Sequence, residues 1–392
     1  MKFSAIICEF NPLHLGHTYL IQQAKEQSGN PILCLMSGNF VQRGEPAILD
    51  KYTRAELAYA NGADAVLELP TIFATASAEY FALGAVKLLT DLQCVSYLYF
   101  GVESNHPTQL LETFKKVLAH NELETTLQTF LQKGYAYKSA YRQTLETLFG
   151  KEVAKELTMP NNILAFLYVK AIHTLKSSIE PVAVCRQGQT YNSTELNIGY
   201  ASATAIRENI HNLEVIKPYI PHQTYEALET HILPNKDIFE ALILWQLRTI
   251  DINDLLNIQG TTEGLPYAIK KYCYQSTTLT DCLNKLKSKR YSYFQLSRYL
   301  YHILLNTPQE LMTKILNTKQ NYAKILCISK KYLPFCRKNK NFYCITKQKD
   351  VIKMPPVLQD SYALDCKATN LYSTITQTLA NTDTIKGTLF KL

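Results

Sequence analysis

The sequence predicts an α/β protein in two parts: an N-terminal doubly wound parallel sheet and a mainly helical, basic C-terminal region. Three observations predict it. From residue 3 to about 101, short β-rich runs alternate with stretches long enough for crossover helices, the pattern of a parallel sheet. From about 222 to 316 the pattern is almost wholly helical. Positive charge is concentrated late: residues 283 to 353 carry sixteen Lys or Arg against Glu310 and Asp350, a surplus of +14 in a chain of net charge +8. With 392 residues there is length for two or three cores, and a single small module is excluded.

The expected strands of the sheet are Phe3 to Cys8, Ile32 to Met36, Ala65 to Leu69 and Tyr97 to Phe100. Helices are expected between them, from Leu15 to Glu26, Lys51 to Asn61 and Ala76 to Asp91. Each strand ends in a polar or glycine-containing loop: Glu9-Phe10-Asn11, Ser37-Gly38-Asn39, Glu68-Leu69-Pro70 and Gly101-Val102-Glu103. Residues 105 to 178 read as helical, and Met159-Pro160-Asn161 opens an amphipathic segment from Asn162 to Leu175. Glu180 to Arg186 reads as one more strand and Ala201 to Arg207 as the start of a helix, which closes a first domain at 1–212. In the remainder, 213–392, Tyr322 to Ser329 and Phe342 to Thr346 are expected as strands flanking a short helix, before a last helix near Ser361 to Leu379.

No apolar run reaches the length of a membrane span, and the first strand runs into charged loop residues rather than a cleavage site. Ten cysteines at irregular spacings include no C-x-x-C pair and no zinc pattern. They are expected as reduced thiols in a cytoplasmic protein.

In an open parallel sheet the carboxyl ends of the strands share one edge, where ligands bind. At the first such end stands His14-Leu15-Gly16-His17, preceded by Asn11-Pro12. Two imidazoles three residues apart at a helix start bring two hydrogen-bond donors beside backbone N–H groups, a setting for the phosphates of ATP. His14 and His17 are the catalytic candidates, stabilising charge on the α and β phosphates, and Gly16 is expected to let the nucleotide approach the backbone. The plainer alternative is a pair of capping or surface histidines. Further along, Ser202-Ala203-Thr204-Ala205-Ile206-Arg207 puts hydroxyls at a helix start and Arg207 one turn on, fit to clamp terminal phosphates unless Ser202 is an ordinary cap.

Between 283 and 353 the cations are interleaved with aromatics, among them Tyr291, Tyr293, Phe294, Tyr299 and Tyr343. Either this is a surface for a polyanion with bases to stack, or a lysine-rich shell over an aromatic core. Lys287, Lys289 and Arg290, ahead of a helix start, are the expected backbone contacts. Arg43 and Glu68, near strand ends, stand evenly between a role in the site and an intramolecular ion pair, whereas Arg54 and Glu79 sit on helical stretches and are expected in ion pairs.

Seven strings in order carry a resemblance: Cys8 to His17, Met36 to Ala47, Gly62 to Pro70, Phe100 to Glu103, Pro160 to Leu164, the loop around Arg186 with Tyr191, and Ala201 to Arg207. Together they resemble the bacterial tRNA(Met) cytidine acetate ligase family of the HIGH-type nucleotidylyltransferase superfamily. The pattern departs at Leu13 and Leu15, where relatives often carry an aromatic and a polar residue, and at Cys327, where glycine is expected.

The resemblance implies a two-step reaction. Acetate attacks the α-phosphate of ATP to give acetyl-adenylate, and the wobble cytidine of elongator tRNA(Met) takes the acetyl group as N4-acetylcytidine. By the family's motif the ATP site maps onto Ile7, Cys8, Glu9, Phe10, Asn11, Pro12, Leu13, His14, Leu15, Gly16, His17, Thr18, Tyr19 and Leu20, with Gly101, Asn162 and Arg186. Acetate needs a small pocket with few donors, and Ser37, Asn39 and Arg43 are its candidates. Magnesium is expected with ATP, although no carboxylate pair stands out as its ligand. Two rivals are an adenylyltransferase for a small acceptor, which has no need of the basic segment, and a tRNA-binding protein whose nucleotide site is only regulatory.

Overall fold

The computed structural model describes residues 2–135, 137–186, 200–287 and 291–391. Its sheet contains β1 (Phe3–Cys8), β2 (Ile32–Ser37), β3 (Ala65–Leu69), β4 (Val95–Val102), β5 (Glu180–Cys185), β6 (Asn321–Ser329) and β7 (Phe342–Ile345), in the order β5-β4-β1-β2-β3-β6-β7. A short β8 (Leu389–Lys391) pairs with β6. The first five strands are parallel, with registers such as Ile6 opposite Cys34 and Gly101 opposite Val184. The order doubles back at β1, so the carboxyl ends of β1 and β4 border a crevice at the topological switch point.

Every residue of β2 and β3 is buried, as the uninterrupted apolar runs require for strands covered on both faces. Alternate side chains supply two cores. Phe3, Ala5, Leu33, Leu35 and Leu67 pack with the helices Ala78–Leu92 and Pro160–Thr174. Ile6, Cys34, Met36 and Val66 pack with α1 (Leu15–Ser28) and α2 (Lys51–Ala60). The expected helix from Ala76 starts at Ala78, because Ser77 caps it by accepting from the Tyr80 amide.

The sheet does not stop at residue 212. β6 hydrogen-bonds antiparallel to β3, with Ala65 opposite Ile328, so residues from both segments share one sheet. All nine residues of β6 are buried, including Lys324. Lys324 and Lys51 form a buried ion cluster with Asp383 and Glu68: Lys51 Nζ lies 2.8 Å from both Glu68 and Asp383, and Lys324 Nζ 2.6 Å from Asp383. Glu68 therefore points into this cluster, not to the site, and Lys324 is no part of a solvent-facing basic surface. Between the first sheet strands and β6 the chain is mostly helical, as expected. All ten cysteines are free, and among the described residues no helix is long and apolar enough to cross a membrane.

Candidate active site

A cavity of about 280 Å³ opens at the carboxyl ends of β1 and β4. His14 begins its floor as the N-cap of α1: extended backbone brings its ring over the helix start, and Nδ1 accepts from the Gly16 amide at 3.1 Å. His17 returns the arrangement, its Nδ1 accepting from the His14 amide at 3.3 Å. The rings stack with centroids 3.7 Å apart. Because each Nδ1 accepts from an N–H, the neutral ring carries its hydrogen on Nε2. Both histidines line the cavity, so two Nε2–H donors belong to its wall.

Burial holds the His14 pKa well below its ordinary range, helped by His17, Arg186 and Arg207. Burial and Arg186 push His17 down to about 3. Both rings are thus neutral donors at pH 7, beside an α1 whose first turn holds no acid. A β-carbon on Gly16 would stand 3.0 Å from His14 Cε1, so glycine here makes room for the capping ring itself.

Arg43, Arg186 and Arg207 line the same cavity, opposed there by Glu9 and Glu45. Arg186 follows β5, its amide donating to the Val102 carbonyl at 2.9 Å. Its side chain lies across Gly101, where a β-carbon would come within 3.0 Å of Arg186 Cγ. Arg207 donates to the Asn11 carbonyl at 2.9 Å and to Thr204 Oγ1 at 3.2 Å, tying the two phosphate motifs together. Ser202 is a true cap, accepting from the Ala205 amide at 3.0 Å, and also lies on the cavity wall. Burial raises the Glu9 carboxyl pKa against the Gln42 amide and the nearby arginines.

Within the first motif, Ile7, Cys8, Glu9, Phe10, Asn11, His14, His17 and Leu20 reach the cavity. Pro12, Leu13, Leu15, Thr18 and Tyr19 do not line it. Neither do Ser37 and Asn39: Asn39 Oδ1 accepts from the Lys51 amide at 2.7 Å as a brace for α2, and the Ser37 carbonyl accepts from Arg54. Asn162 is fully buried and spent on structure, accepting from the Glu103 amide at 2.8 Å and donating to the Glu156 carbonyl at 2.9 Å. Its neighbour Asn161 is the one on the cavity wall.

Arg54 departs from the expected ion pair. Fully buried, it donates to the carbonyls of Leu49, Glu9, Ser37 and Gly38, clamping the ends of β1 and β2. Nothing in its helical sequence context separates it from a surface arginine. Glu79 does pair, with Lys170 at 2.7 Å.

Lys287 is exposed just after the helix Leu279–Leu286. Lys289, Arg290 and Tyr191 lie outside the described residues. A more concentrated basic surface surrounds β7: Arg337, Lys340, Lys347, Lys349 and Lys353 line a cleft of about 600 Å³ whose lone acid is Asp350. Lys347 and Lys349 crowd each other, and contact with Lys349 lowers the Lys347 pKa. The helix Tyr293–Leu305, inside the basic segment, packs behind the loop after β2: the Arg43 guanidinium lies 4.3 Å from the Phe294 ring centroid.

Over residues 1–386 the chain matches the family described as HIGH Nucleotidyl Transferase. It is 34% identical to the tRNA(Met) cytidine acetate ligase of Clostridium novyi over 395 residues, covering 97% of each chain. Against the ligase of the same name from Caldicellulosiruptor saccharolyticus identity is 36% over 390 residues, covering 95% of this chain and 94% of that one. The chain belongs to the tRNA(Met) cytidine acetate ligase family. Two solved structures of one protein agree with this chain along its whole length. Thermotoga maritima TmcAL in its apo form superposes with a TM-score of 0.91 at 28% identity, covering 100% of this chain and 99% of that one. The same protein bound with alpha-thio ATP gives 0.89 at 27% identity, with the same coverage. Membership in this ligase family accounts for the fold, including the late strand β6 that the sheet recruits from beyond residue 320.

Proposed function

We infer that this chain is an ATP-dependent ligase that activates acetate as acetyl-adenylate and transfers the acetyl group to the wobble cytidine of elongator tRNA(Met), forming N4-acetylcytidine. One observation carries the reading: two Nε2–H donors and three guanidiniums line a single cavity at the switch point of the sheet.

The chemistry follows from that placement. Carboxylate is a poor acyl donor until its oxygen is bonded to phosphorus, and the attack on the α-phosphorus breaks the bond to the β-phosphate. His14 and His17 donate to the phosphate oxygens on which charge grows, and the α1 N-terminus adds its partial positive charge. Arg186 and Arg207 hold the departing pyrophosphate, and Ser202 stands beside them at its own helix start. Of the three acetate candidates only Arg43 reaches the cavity, and its guanidinium is the group for the carboxylate. In the second step the cytidine N4 attacks the acetyl carbon, the bond to the adenylate oxygen breaks, and AMP and a proton leave. The protein's part is positioning and charge stabilisation.

Among the described residues no group of three or more potential ligands could hold a metal. The cavity's carboxylates are Glu9 and Glu45, and Glu9 Oε1 is held by the Gln42 amide at 2.7 Å. These residues do not form a metal cage. Magnesium would accompany the triphosphate as its counter-ion, neutralising phosphate charge without a dedicated set of side-chain ligands.

The basic cleft beside β7, together with Lys287, is the surface for the tRNA backbone. A cytoplasmic setting suits ten free cysteines.

Mass spectrometry of nucleosides from tRNA incubated with enzyme, ATP and isotopically labelled acetate tests the reading. Labelled N4-acetylcytidine and stoichiometric AMP are expected. Transfer of AMP to a small acceptor, or no label in RNA, would overturn it.

A further inference from the structure

We propose that Tyr293 and Phe294, at the first turn of the helix Tyr293–Leu305, form an aromatic platform on which the target cytosine stacks as it enters the catalytic cavity. The proposal rests on the acetyl-transfer reading and adds to it the place where the base is held.

The loop after β2 joins the cavity to this helix. Val41, Gln42, Arg43 and Glu45 line the cavity, and the loop is a closed turn, with the Val41 amide donating to the Glu45 carbonyl at 3.0 Å and the Gly44 amide to the Val41 carbonyl at 2.8 Å. Its outer side rests directly on the helix. Gly44 has φ of +73°, and a β-carbon there would fall 2.8 Å from Arg298 Cα. Phe40, at the base of the same loop, lies 4.5 Å from the Tyr301 ring centroid. One thin turn therefore separates the helix from the reacting centre.

The helix start faces outward at that point. Tyr293 is 46% exposed and Phe294 40% exposed, so both rings present a face to solvent beside the cavity-lining loop. The two rings meet edge to face, with centroids 5.6 Å apart at 78°. Arg43 belongs to both places: it lines the cavity and lies over the Phe294 ring. Tyr293 sits close enough to the cavity-lining Glu45 for that charge, after burial, to raise its hydroxyl pKa.

A base that must offer its exocyclic amine to an adenylate inside this cavity has to leave its own stack, and an aromatic ring at the entrance replaces the lost stacking. A cation for the adjoining phosphate stands nearby in sequence at exposed Lys287, before the helix begins, whereas Lys285 is held by Asp281 at 2.7 Å. Exposed rings beside cations suit a single-stranded loop better than a protein partner, whose interface would call for a broader apolar patch.

The test compares Tyr293→Ala and Phe294→Ala with Tyr293→Phe and Phe294→Trp. For each, kcat/KM toward tRNA in acetyl transfer is measured beside acetate-dependent ATP–pyrophosphate exchange, which needs no RNA. The alanine variants are expected to lose about 5- to 150-fold in kcat/KM for tRNA, the range for one base–aromatic stack, mostly through KM, with exchange intact. The aromatic variants are expected to recover it. Wild-type kcat/KM in both alanine variants overturns the proposal. So does an equal loss in exchange, which would mean that the rings only support Arg43, and so does failure of the aromatic variants to rescue. A wild-type enzyme that exchanges pyrophosphate but never acetylates cytidine would instead overturn the acetyl-transfer reading itself.

Discussion

Replacing His14 by asparagine separates the two tasks of that residue. In the folded protein its Nδ1 caps α1 through the Gly16 amide while Nε2–H faces the cavity. Asparagine is among the best N-caps, so its Oδ1 can keep the bond to Gly16. Its amide is too short to place a donor where Nε2 stood. Loss of one preorganised donor to developing phosphate charge typically costs about 2.7–4 kcal/mol, or roughly 100- to 1000-fold in rate. His14→Asn should therefore lose acetate-dependent exchange on that scale with an unchanged urea midpoint. His14→Ala should lose as much exchange and, in addition, about 1 kcal/mol of stability from the missing cap. Wild-type exchange in His14→Asn would refute the donor role. A drop in its stability equal to that of His14→Ala would refute the separation of cap from catalyst.

Three further outcomes are expected. Buried His302 has its pKa lowered to about 4, chiefly by burial, so the unfolded chain binds a proton below about pH 6.5 that the folded one refuses, and stability falls with pH. The loss of stability between pH 7 and 5, read from urea titrations, should be about 2 kcal/mol smaller in His302→Gln; an identical loss would contradict the shift. Asp383→Asn strips Lys324 of its carboxylate and leaves Lys51 with Glu68 alone, and should destabilise the protein by about 3–5 kcal/mol in the same assay. The double variant Lys347→Glu, Lys349→Glu should bind tRNA more weakly and with a shallower salt dependence while leaving exchange at the remote cavity intact; an unchanged salt slope would move the RNA backbone elsewhere.

What the sequence made legible was local. Strand runs such as Ile32-Leu33-Cys34-Leu35-Met36 announce a strand covered on both faces, and His14 to His17 fit within one helical turn, so their meeting needs no tertiary knowledge. The loops at the strand ends converge because parallel topology demands it, and the family's motif for Arg186 and the helix-start pattern of Ser202 and Arg207 add the residues that line the cavity with His14. What stayed hidden depends on partners far along the chain. Nothing near Lys324 says that it pairs with a carboxylate at 383, and nothing near Arg54 says that four carbonyls await it. Asn39 is a ligand candidate by its place at a strand end and Asn162 by the family's motif, and neither signal tells a brace from a ligand; their hydrogen bonds show the bracing. The basic cleft was diluted in sequence, since its cations are spread over residues 337 to 353 and gather only when the β7 region folds around Asp350.

The antiparallel seam between β3 and β6 gives biosynthesis a timetable. By the time residue 207 has left the ribosome, every side chain that lines the catalytic cavity has been made. The nascent sheet nevertheless still ends on a bare strand, an edge open to pairing with other chains, until β6 arrives more than a hundred residues later. Asp383, the counter-charge that anchors the helix bearing Arg54, comes later still. Prematurely terminated products thus carry the whole catalytic outfit on a sheet whose edge is still unpaired, which makes them prone to aggregate.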